Sequence, residues 1–288
     1  MYRRLPRLFT LCTLLLAGSP SFAQPGSGSA NCGEVITVVT HEGSTTRYSL
    51  ASPTDPRSQS KAIVLALLVG GNGYLNLDGA GCARSLRGNS LVRSITHFRA
   101  AGLFTALVDA PSTHQGVDGL EGFRTHALHA EDIGKVIADI QARTKAIVWL
   151  VGTSRGAISA VNAASRLAGS AAPTGVVLTS PVTAGQSGAR KGWVAQSVFD
   201  LQLETITVPL LVVGHADDGC IRSPANLNSN ITARTRSARK EVALVTGGPG
   251  GGGVSTIEAC EGRSPHGFNG QEAEVAAGIA RFVLGGKY

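Results

Sequence analysis

Three polar side chains occur in an order that suits nucleophilic catalysis: Ser154, an aspartate of the pair Asp217-Asp218, and His266. A serine hydroxyl attacks a carbonyl carbon efficiently only when a histidine takes its proton, and a carboxylate must hold that histidine in the correct tautomer. Such a set of groups cleaves acyl bonds. The strands and helices of the chain must then bring these side chains together.

Ser154 lies in Gly152-Thr-Ser-Arg-Gly156, between the apolar run 147–151 and the helix-compatible residues 157–167. This pattern predicts a strand, a sharp turn and a helix. In a G-x-S-x-G turn the serine occupies a strained corner, and the glycines are needed because a Cβ would strike the neighbouring strand or helix. Ser154 is the candidate nucleophile. The alternative is a glycine-rich turn with an idle serine.

The candidate acid and base each follow a predicted strand. Gly214-His-Ala-Asp-Asp218 comes directly after the apolar run 210–213, and His266 lies between the last predicted strand, 241–246, and the last predicted helix. Loops that bind ligands in open parallel sheets lie at the carboxyl ends of the strands, so these residues are expected at one edge. An Asp-Asp pair can also merely cap a following helix.

Apolar runs alternate with helical patterns over most of the chain. This alternation indicates the α/β class, with a mostly parallel central sheet covered by helices on both faces. Two β-branched runs before it, 34–40 and 45–51, predict an N-terminal hairpin. The predicted buried strands are 63–69, 104–109, 147–151, 175–179, 209–213 and 241–246, and the predicted helices are 90–101, 126–143, 157–167, 193–201, one after residue 223, and 271–284.

The serine turn, the acid loop and the histidine loop together resemble those of the α/β-hydrolase family, in which nucleophile, acid and histidine occur in this order. The resemblance covers the chain from about residue 36 to its C-terminus and implies the α/β-hydrolase fold. In such hydrolases the acid usually stands three residues after the glycine that ends its strand. The resemblance therefore implies Asp217, with Asp218 as the alternative.

The same resemblance implies two backbone donors for the oxyanion of the tetrahedral intermediate. One is the amide of Arg155, which follows the serine. The other is the amide of Asn72, or alternatively that of Gly71, in Gly70-Gly-Asn-Gly73 after the first buried strand. This loop departs from the family's His-Gly pattern at its first residue, and a simple turn is the competing interpretation. The segment 109–114 either lines the pocket or only turns the chain.

Four cysteines, an even number, remain after the N-terminal segment: Cys32, Cys82, Cys220 and Cys260. The N-terminal segment has the features of a secretory signal, so disulfides are expected, and four cysteines allow three pairings. We favour Cys220 with Cys260, because this bridge would tie the acid loop to the histidine loop. Cys32 with Cys82 would then join the N-terminal segment to the stretch beyond the Gly-Gly-Asn-Gly loop.

No metal or cofactor is expected. The cysteines and histidines lack the spacing of metal ligands, and the glycine tract 247–253 lacks the Gly-Lys-Ser/Thr of a phosphate loop. His126 and His129, three residues apart, are expected at the surface or as helix caps. His215 is expected to pack beside the acid.

The N-terminus has the three parts of a secretory signal: arginines before residue 8, the apolar stretch 8–17, and Ser-Phe-Ala ending at residue 23. We expect a signal peptide at 1–23, a flexible mature N-terminus at 24–33 and an α/β-hydrolase domain at 34–288. The protein is then exported, to the periplasm or the extracellular space. The apolar stretch is too short to be a stable membrane anchor.

Charge points to no macromolecular partner. Loss of the three arginines of the signal lowers the formal net charge from +7 to +4, and no basic run with interleaved aromatics indicates nucleic-acid binding. The expected function is a serine hydrolase that cleaves small-molecule carboxylic esters through an acyl-enzyme. The short, polar segment 179–207 offers little apolar lid, which disfavours a triglyceride lipase.

Two kinds of alternative remain open at the level of sequence. The same three groups serve peptidases, thioesterases and acyltransferases, because specificity depends on the pocket. A non-catalytic periplasmic binding protein on a hydrolase scaffold is a different class, and it would not need all three groups.

Overall fold

The computed structural model describes residues 1–2, 31–55, 62–186, 188, 191–250 and 254–288. The expected signal peptide beyond residue 2, the expected flexible stretch up to residue 30, and residues 251–253 of the glycine tract lie outside the described residues. Among the helices that are described, none is long and apolar enough to cross a bilayer.

The described part of the chain contains eight strands in one sheet: β1 Glu34–Val39, β2 Thr45–Ala51, β3 Ile63–Leu68, β4 Phe104–Val108, β5 Ile147–Thr153, β6 Gly175–Thr179, β7 Leu210–His215 and β8 Lys240–Val245. Their order in the sheet is β1-β2-β4-β3-β5-β6-β7-β8. The strand β2 is antiparallel to β1 and to β4, and all other neighbours are parallel. The predicted N-terminal hairpin and mostly parallel sheet are therefore confirmed.

Helices cover both faces of the sheet. On one face lie α1 (Ser90–Ala100) and α5 (Glu272–Val283). On the other lie α2 (Ala127–Thr144), α3 (Gly156–Arg166) and α4 (Asn228–Arg234). Two apolar cores result, and the central strands β3, β6 and β7 are buried along their whole length. Burial on both faces explains why these strands are continuously apolar rather than alternating.

The structure differs from the prediction near the end of β7. Its parallel register with β8 continues through Gly214 and His215, opposite Leu244 and Val245. The strand is therefore two residues longer than the apolar run that ends at Val213. The helix predicted over 193–201 is instead two single 3-10 turns, Gly192–Ala195 and Val198–Asp200.

Both predicted disulfides are confirmed. Cys32 is bonded to Cys82 and Cys220 to Cys260, with S–S distances of 2.05 and 2.00 Å. Beside the second bridge, the Thr256 amide donates to the Gly219 carbonyl at 2.9 Å. The segment that leads to His266 is thus attached to the loop that carries the aspartates by a covalent bond and by backbone hydrogen bonds.

Candidate active site

Ser154 occupies the turn between β5 and α3. Its φ is +52°, in the left-handed region that non-glycine residues rarely adopt. The Ser154 amide donates to the Thr179 carbonyl at 2.9 Å, which attaches the turn to the end of β6. Strained backbone of this kind is found where a structure holds a side chain in one functional position.

The two glycines that flank this serine are required by close packing. A Cβ on Gly152 would lie 2.4 Å from the Gly156 carbonyl oxygen, and a Cβ on Gly156 would lie 2.0 Å from the Leu68 carbonyl oxygen. Any side chain at either position would push the helix away from the strands. This geometry is that of the predicted strand-turn-helix corner, in which the helix begins directly against the sheet.

His266 is paired with Asp218. The distance from His266 Nδ1 to Asp218 Oδ2 is 2.9 Å, and only 4% and 1% of the two side chains are exposed. The other carboxylate oxygen of Asp218 accepts the Cys220 amide at 2.8 Å. The carboxylate places the proton of His266 on Nδ1. Within the described part of the chain, the buried Nε2 has no hydrogen-bond partner and can accept a proton.

The prediction that Asp217 fills this place is corrected. Asp217 is exposed, and its backbone amide donates to His215 Nδ1 at 3.0 Å. The error follows from the longer strand. β7 ends at His215 rather than at Gly214, so the third residue beyond the strand is Asp218. The Asp218 amide then donates to the His215 carbonyl at 3.1 Å and turns the side chain toward His266.

His215 packs beside the acid loop as predicted. Because its Nδ1 accepts a backbone amide, its proton lies on Nε2, which contacts the Gly247 carbonyl at 2.9 Å and Gln271 Oε1 at 3.0 Å. These contacts tie the end of β7 to the segment around the last helix. His215 is therefore occupied by structural hydrogen bonds and is not a competing base.

The loop that carries His266 is braced by Arg93, a residue that no motif of the sequence singles out. The guanidinium donates to the carbonyls of Gly262 at 2.8 Å and Gly267 at 2.7 Å, and it also donates to the Gly88 carbonyl. Its Nε pairs with Glu272 at 2.7 Å. Arg93 thus fixes the backbone on both sides of the candidate base.

Ser154 and His266 line one open cleft of about 370 Å³. Five glycines form much of its wall, Leu86 contributes an apolar side chain, and Glu261 and Arg263 contribute charges. The glycines are Gly70, Gly71, Gly88, Gly262 and Gly267. The cleft therefore has room for a small substrate whose carbonyl carbon reaches the serine hydroxyl.

Of the candidate oxyanion donors, Gly71 lies in the cleft wall with Gly70. The side chain of Asn72 is turned toward another segment, since its Nδ2 donates to the Gly116 carbonyl at 2.8 Å, and the backbone carbonyl of Asn72 accepts the Leu120 amide at 2.8 Å. Arg155 is the N-cap residue of α3. Its amide therefore lies at a helix N-terminus, where N–H groups favour negative charge.

The side chain of Arg155 forms an ion pair that does not involve its backbone amide. Its Nη1 pairs with Glu121 Oε1 at 2.6 Å, and both side chains are largely buried. Burial lowers the pKa of Arg155 and raises that of Glu121, and the attraction within the pair opposes both shifts. This ion pair holds the N-terminus of α3 against the segment around residue 121.

Asp109 holds the loop after β3. Its carboxylate accepts the amides of Leu75 at 2.7 Å, Leu77 at 3.1 Å and Ala110 at 2.8 Å. Burial raises the pKa of Asp109, and these amides oppose the rise because they favour the ionised form. The sequence suggested two roles for this segment, pocket lining or a turn, and did not reveal this bracing role.

The pair His126 and His129 has two different roles. His126 caps α2 as predicted, its side chain accepting the Leu128 amide. The expectation that His129 is a surface or capping residue is wrong: it is buried, and its Nε2 contacts Ser159 Oγ at 2.8 Å. Among the described residues, one group has the spacing of metal ligands: Asp218, Cys220 and His266. Cys220 is in a disulfide and offers no thiolate.

The likeness of this chain to known proteins lies in its fold. No family model and no curated protein matches the sequence. Solved structures do match the fold, and one of them is an α/β serine hydrolase homologue from Coxiella burnetii. It is 15% identical, with a TM-score of 0.55 over 87% of this chain and 97% of that one.

Two further solved structures are similar to the chain. An α/β serine hydrolase without a lid from Xanthomonas campestris is 14% identical, with a TM-score of 0.53 over 87% of this chain and 94% of that one. A Pyrococcus furiosus esterase is 13% identical, with a TM-score of 0.56 over 87% and 91%. Together with the eight-stranded, mostly parallel sheet, these matches show that the chain has the α/β-hydrolase fold.

Proposed function

We propose that this protein is a serine hydrolase that cleaves small carboxylic esters through an acyl-enzyme, with Ser154, His266 and Asp218 as its catalytic triad. The observation that carries the proposal is the cleft in which a strained serine and a histidine paired with a buried carboxylate lie together. Serine, histidine and carboxylate in these roles constitute a nucleophile, a general base and an orienting group.

The reaction follows from the proton positions. Ser154 Oγ attacks the ester carbonyl carbon while its proton passes to His266 Nε2, and the buried carboxylate of Asp218 stabilises the resulting imidazolium. His266 then gives the proton to the leaving alkoxide. In the second half, His266 takes a proton from water and the hydroxyl adds to the acyl carbon. The bond from that carbon to Ser154 Oγ then breaks, Oγ takes the proton back from His266, and the acid is released.

The negative charge that forms on the carbonyl oxygen needs donors that are already in place. Position supports the amide of Arg155, at the start of α3, together with an amide of the Gly70-Gly-Asn-Gly73 loop. Within that loop, the cleft wall favours Gly71 over Asn72.

The openness of the site supports a soluble ester as substrate. In the described part of the connection between β6 and β7, regular structure is limited to single 3-10 turns. A lipase that opens at an oil-water interface would need an apolar lid over the serine. The glycine-lined cleft instead favours small esters that diffuse in from water.

Export is part of the proposal. The two disulfides support it, because disulfides persist in oxidising compartments. The basic, apolar and small-residue order of the first 23 residues supports a secretory signal. A periplasmic or extracellular location follows, and fractionation of cells that express the full chain tests it.

The activity is tested with a fluorophosphonate probe and with p-nitrophenyl acetate. We expect the wild-type protein to be labelled once, at Ser154, and to hydrolyse the ester, because both reactions need an activated serine. The Ser154→Ala variant serves as the matched control and should do neither. Folded wild-type protein that is neither labelled nor active would reject the proposal in favour of a binding protein. Comparison with the matching p-nitroanilide separates an esterase from a peptidase.

A further inference from the structure

We propose that Arg124 is a positioning residue for the oxyanion donors: its buried guanidinium joins the loop after β3 to helix α3 and so sets the two donor amides at a fixed separation. This inference rests on the proposed function. The term oxyanion loop denotes residues 70–73. Neither the motif pattern nor the family resemblance points to Arg124.

The contacts of Arg124 reach both elements. Its Nη2 donates to the carbonyls of Val69 at 3.0 Å and Gly71 at 3.3 Å, at the oxyanion loop. Its Nη1 donates to Ser159 Oγ at 2.7 Å, one turn into α3. The guanidinium therefore connects the loop that carries one candidate donor to helix α3, which begins at the other.

Peptide geometry turns these carbonyl contacts into control of the amides. A peptide unit is planar and trans, so its C=O and N–H point in opposite directions. Holding the Val69 carbonyl fixes the N–H of Gly70, and holding the Gly71 carbonyl fixes that of Asn72. The unit between them is fixed by the Gly73 amide, which donates to the Gly70 carbonyl at 3.2 Å. Arg124 thus orients the peptides on both sides of the unit that carries the Gly71 amide.

Arg124 is buried and is closely packed against the oxyanion loop. The residue is 1% exposed. A Cβ at Gly73 would lie 2.8 Å from its Nη2, so the loop approaches the guanidinium as closely as a glycine allows. The backbone is also held, because the Arg124 carbonyl accepts Asn162 Nδ2 at 2.9 Å.

Burial of the Arg124 cation is costly for folding. Among the described residues, no carboxylate contacts its guanidinium: Glu121 interacts with it only at longer range and is bonded to Arg155. Burial lowers the pKa of Arg124 to about 9. A buried charge without an adjacent partner destabilises a fold, yet a fixed positive charge beside the oxyanion loop favours a developing oxyanion.

The hydrogen-bond directions behind Arg124 are consistent. Ser159 Oγ accepts from Arg124, so its hydroxyl proton is directed to His129 Nε2 at 2.8 Å. His129 is neutral, because burial lowers its pKa to about 3. Arg124, Ser159 and His129 therefore form one chain of hydrogen bonds that ends away from the cleft.

The test compares Arg124→Met, which removes the charge and the donors at similar length, with Arg124→Lys, which keeps the charge. We expect Arg124→Met to lower kcat for p-nitrophenyl acetate by about tenfold or more with KM within about threefold, and to weaken a trifluoromethyl ketone inhibitor in parallel, because that inhibitor forms an oxyanion on the serine. Arg124→Lys should retain an intermediate kcat. Active protein is counted by complete fluorophosphonate labelling.

Arg239→Met is the matched control. Arg239 also donates to two backbone carbonyls, those of Phe282 and Gly286, and it lies away from the cleft. We expect it to lower the Tm without changing kcat. Ser159→Ala, a small change in a buried site, breaks the link to α3 and should lower kcat at unchanged KM even where Arg124→Met does not fold.

Three results would overturn the inference. One is a folded Arg124→Met variant whose kcat and inhibitor binding stay within about twofold of wild type. The second is an Arg239→Met variant that loses as much kcat as Arg124→Met. The third is an unchanged kcat in Ser159→Ala. Each of them leaves the proposed function standing, because Ser154 is still labelled and the wild type is still active. An inactive, unlabelled wild type would reject both proposals.

Discussion

Replacement of Asp218 by Asn provides the sharpest test of the triad, because the neighbouring Asp217 supplies a control that differs in the one relevant contact. Asp218 Oδ2 lies 2.9 Å from His266 Nδ1 and its side chain is 1% exposed, whereas Asp217 is exposed. Both substitutions remove one negative charge from the same loop. Only the substitution at Asp218 removes the charge from beside His266.

The expected magnitude follows from that contact. In the transition state His266 carries a positive charge whose centre lies about 4 Å from the carboxylate, and at an effective dielectric constant of 20 their attraction is about 4 kcal/mol. Loss of this attraction slows acylation by roughly 10³-fold. An asparagine amide that donates to Nδ1 would also place the ring proton on Nε2, where it blocks acceptance of the serine proton. We therefore expect kcat to fall by roughly 10³- to 10⁴-fold.

The assay is hydrolysis of p-nitrophenyl acetate. The concentration of folded protein in each sample is taken from the amplitude of its thermal unfolding transition. Asp217→Asn should leave kcat within about twofold of wild type, because the side chain of Asp217 is exposed and does not contact His266. The reasoning is refuted if Asp217→Asn loses activity while folded Asp218→Asn keeps more than about a tenth of it. That result would restore the first sequence-based choice and would mean that His266 is oriented by another group.

Two further predictions concern the disulfides and acid stability. Each disulfide can be removed by a double substitution, Cys220→Ser with Cys260→Ser or Cys32→Ser with Cys82→Ser. The two bridges close loops of similar length, with sequence separations of 40 and 50. From the loss of loop-closure entropy alone, each double variant should lower the free energy of unfolding by about 4 kcal/mol. Only the first should also lower kcat, and equal kcat values would contradict the bracing role. Burial, together with the nearby charge of Arg124, lowers the pKa of His129 from 6.5 to about 3. Between these two pH values the unfolded chain therefore binds a proton at His129 that the folded chain does not bind. Its contribution to stability is therefore present above pH 6.5 and is lost as the pH falls toward 3, by about 1.4 kcal/mol per pH unit. Urea unfolding across this range should show a shallower loss in His129→Gln than in wild type or in the exposed His97→Gln.

The fold was predictable because the hydrophobic pattern of each segment matches the strand or helix that it forms. β3 and β6 are continuous apolar runs since they are buried on both faces, and their alternation with helical patterns requires a parallel sheet. The serine turn was predictable for a related reason. Its two glycines are needed where α3 packs directly against the strands, and this need is visible in the sequence.

The aspartate that pairs with His266 was predicted one residue too early because apolar character does not mark the end of a strand. Gly214 and His215 remain in β7 through backbone pairing with β8, and such pairing does not depend on side-chain type. A hydrophobic pattern ends at Val213, so counting from Gly214 selects Asp217. The register with the neighbouring strand, which is a property of two distant segments, decides for Asp218.

Arg124 was missed for a deeper reason. Its partners at the oxyanion loop are backbone carbonyls, 53 and 55 residues away in the sequence, and every residue has a carbonyl. The partner of His266, by contrast, is a carboxylate, which only two residue types supply. Residues that act on reactive side chains therefore form recognisable sets in a sequence, whereas residues that orient backbone amides do not. Where catalysis depends on backbone donors, the side chains that position them become visible only in the folded chain.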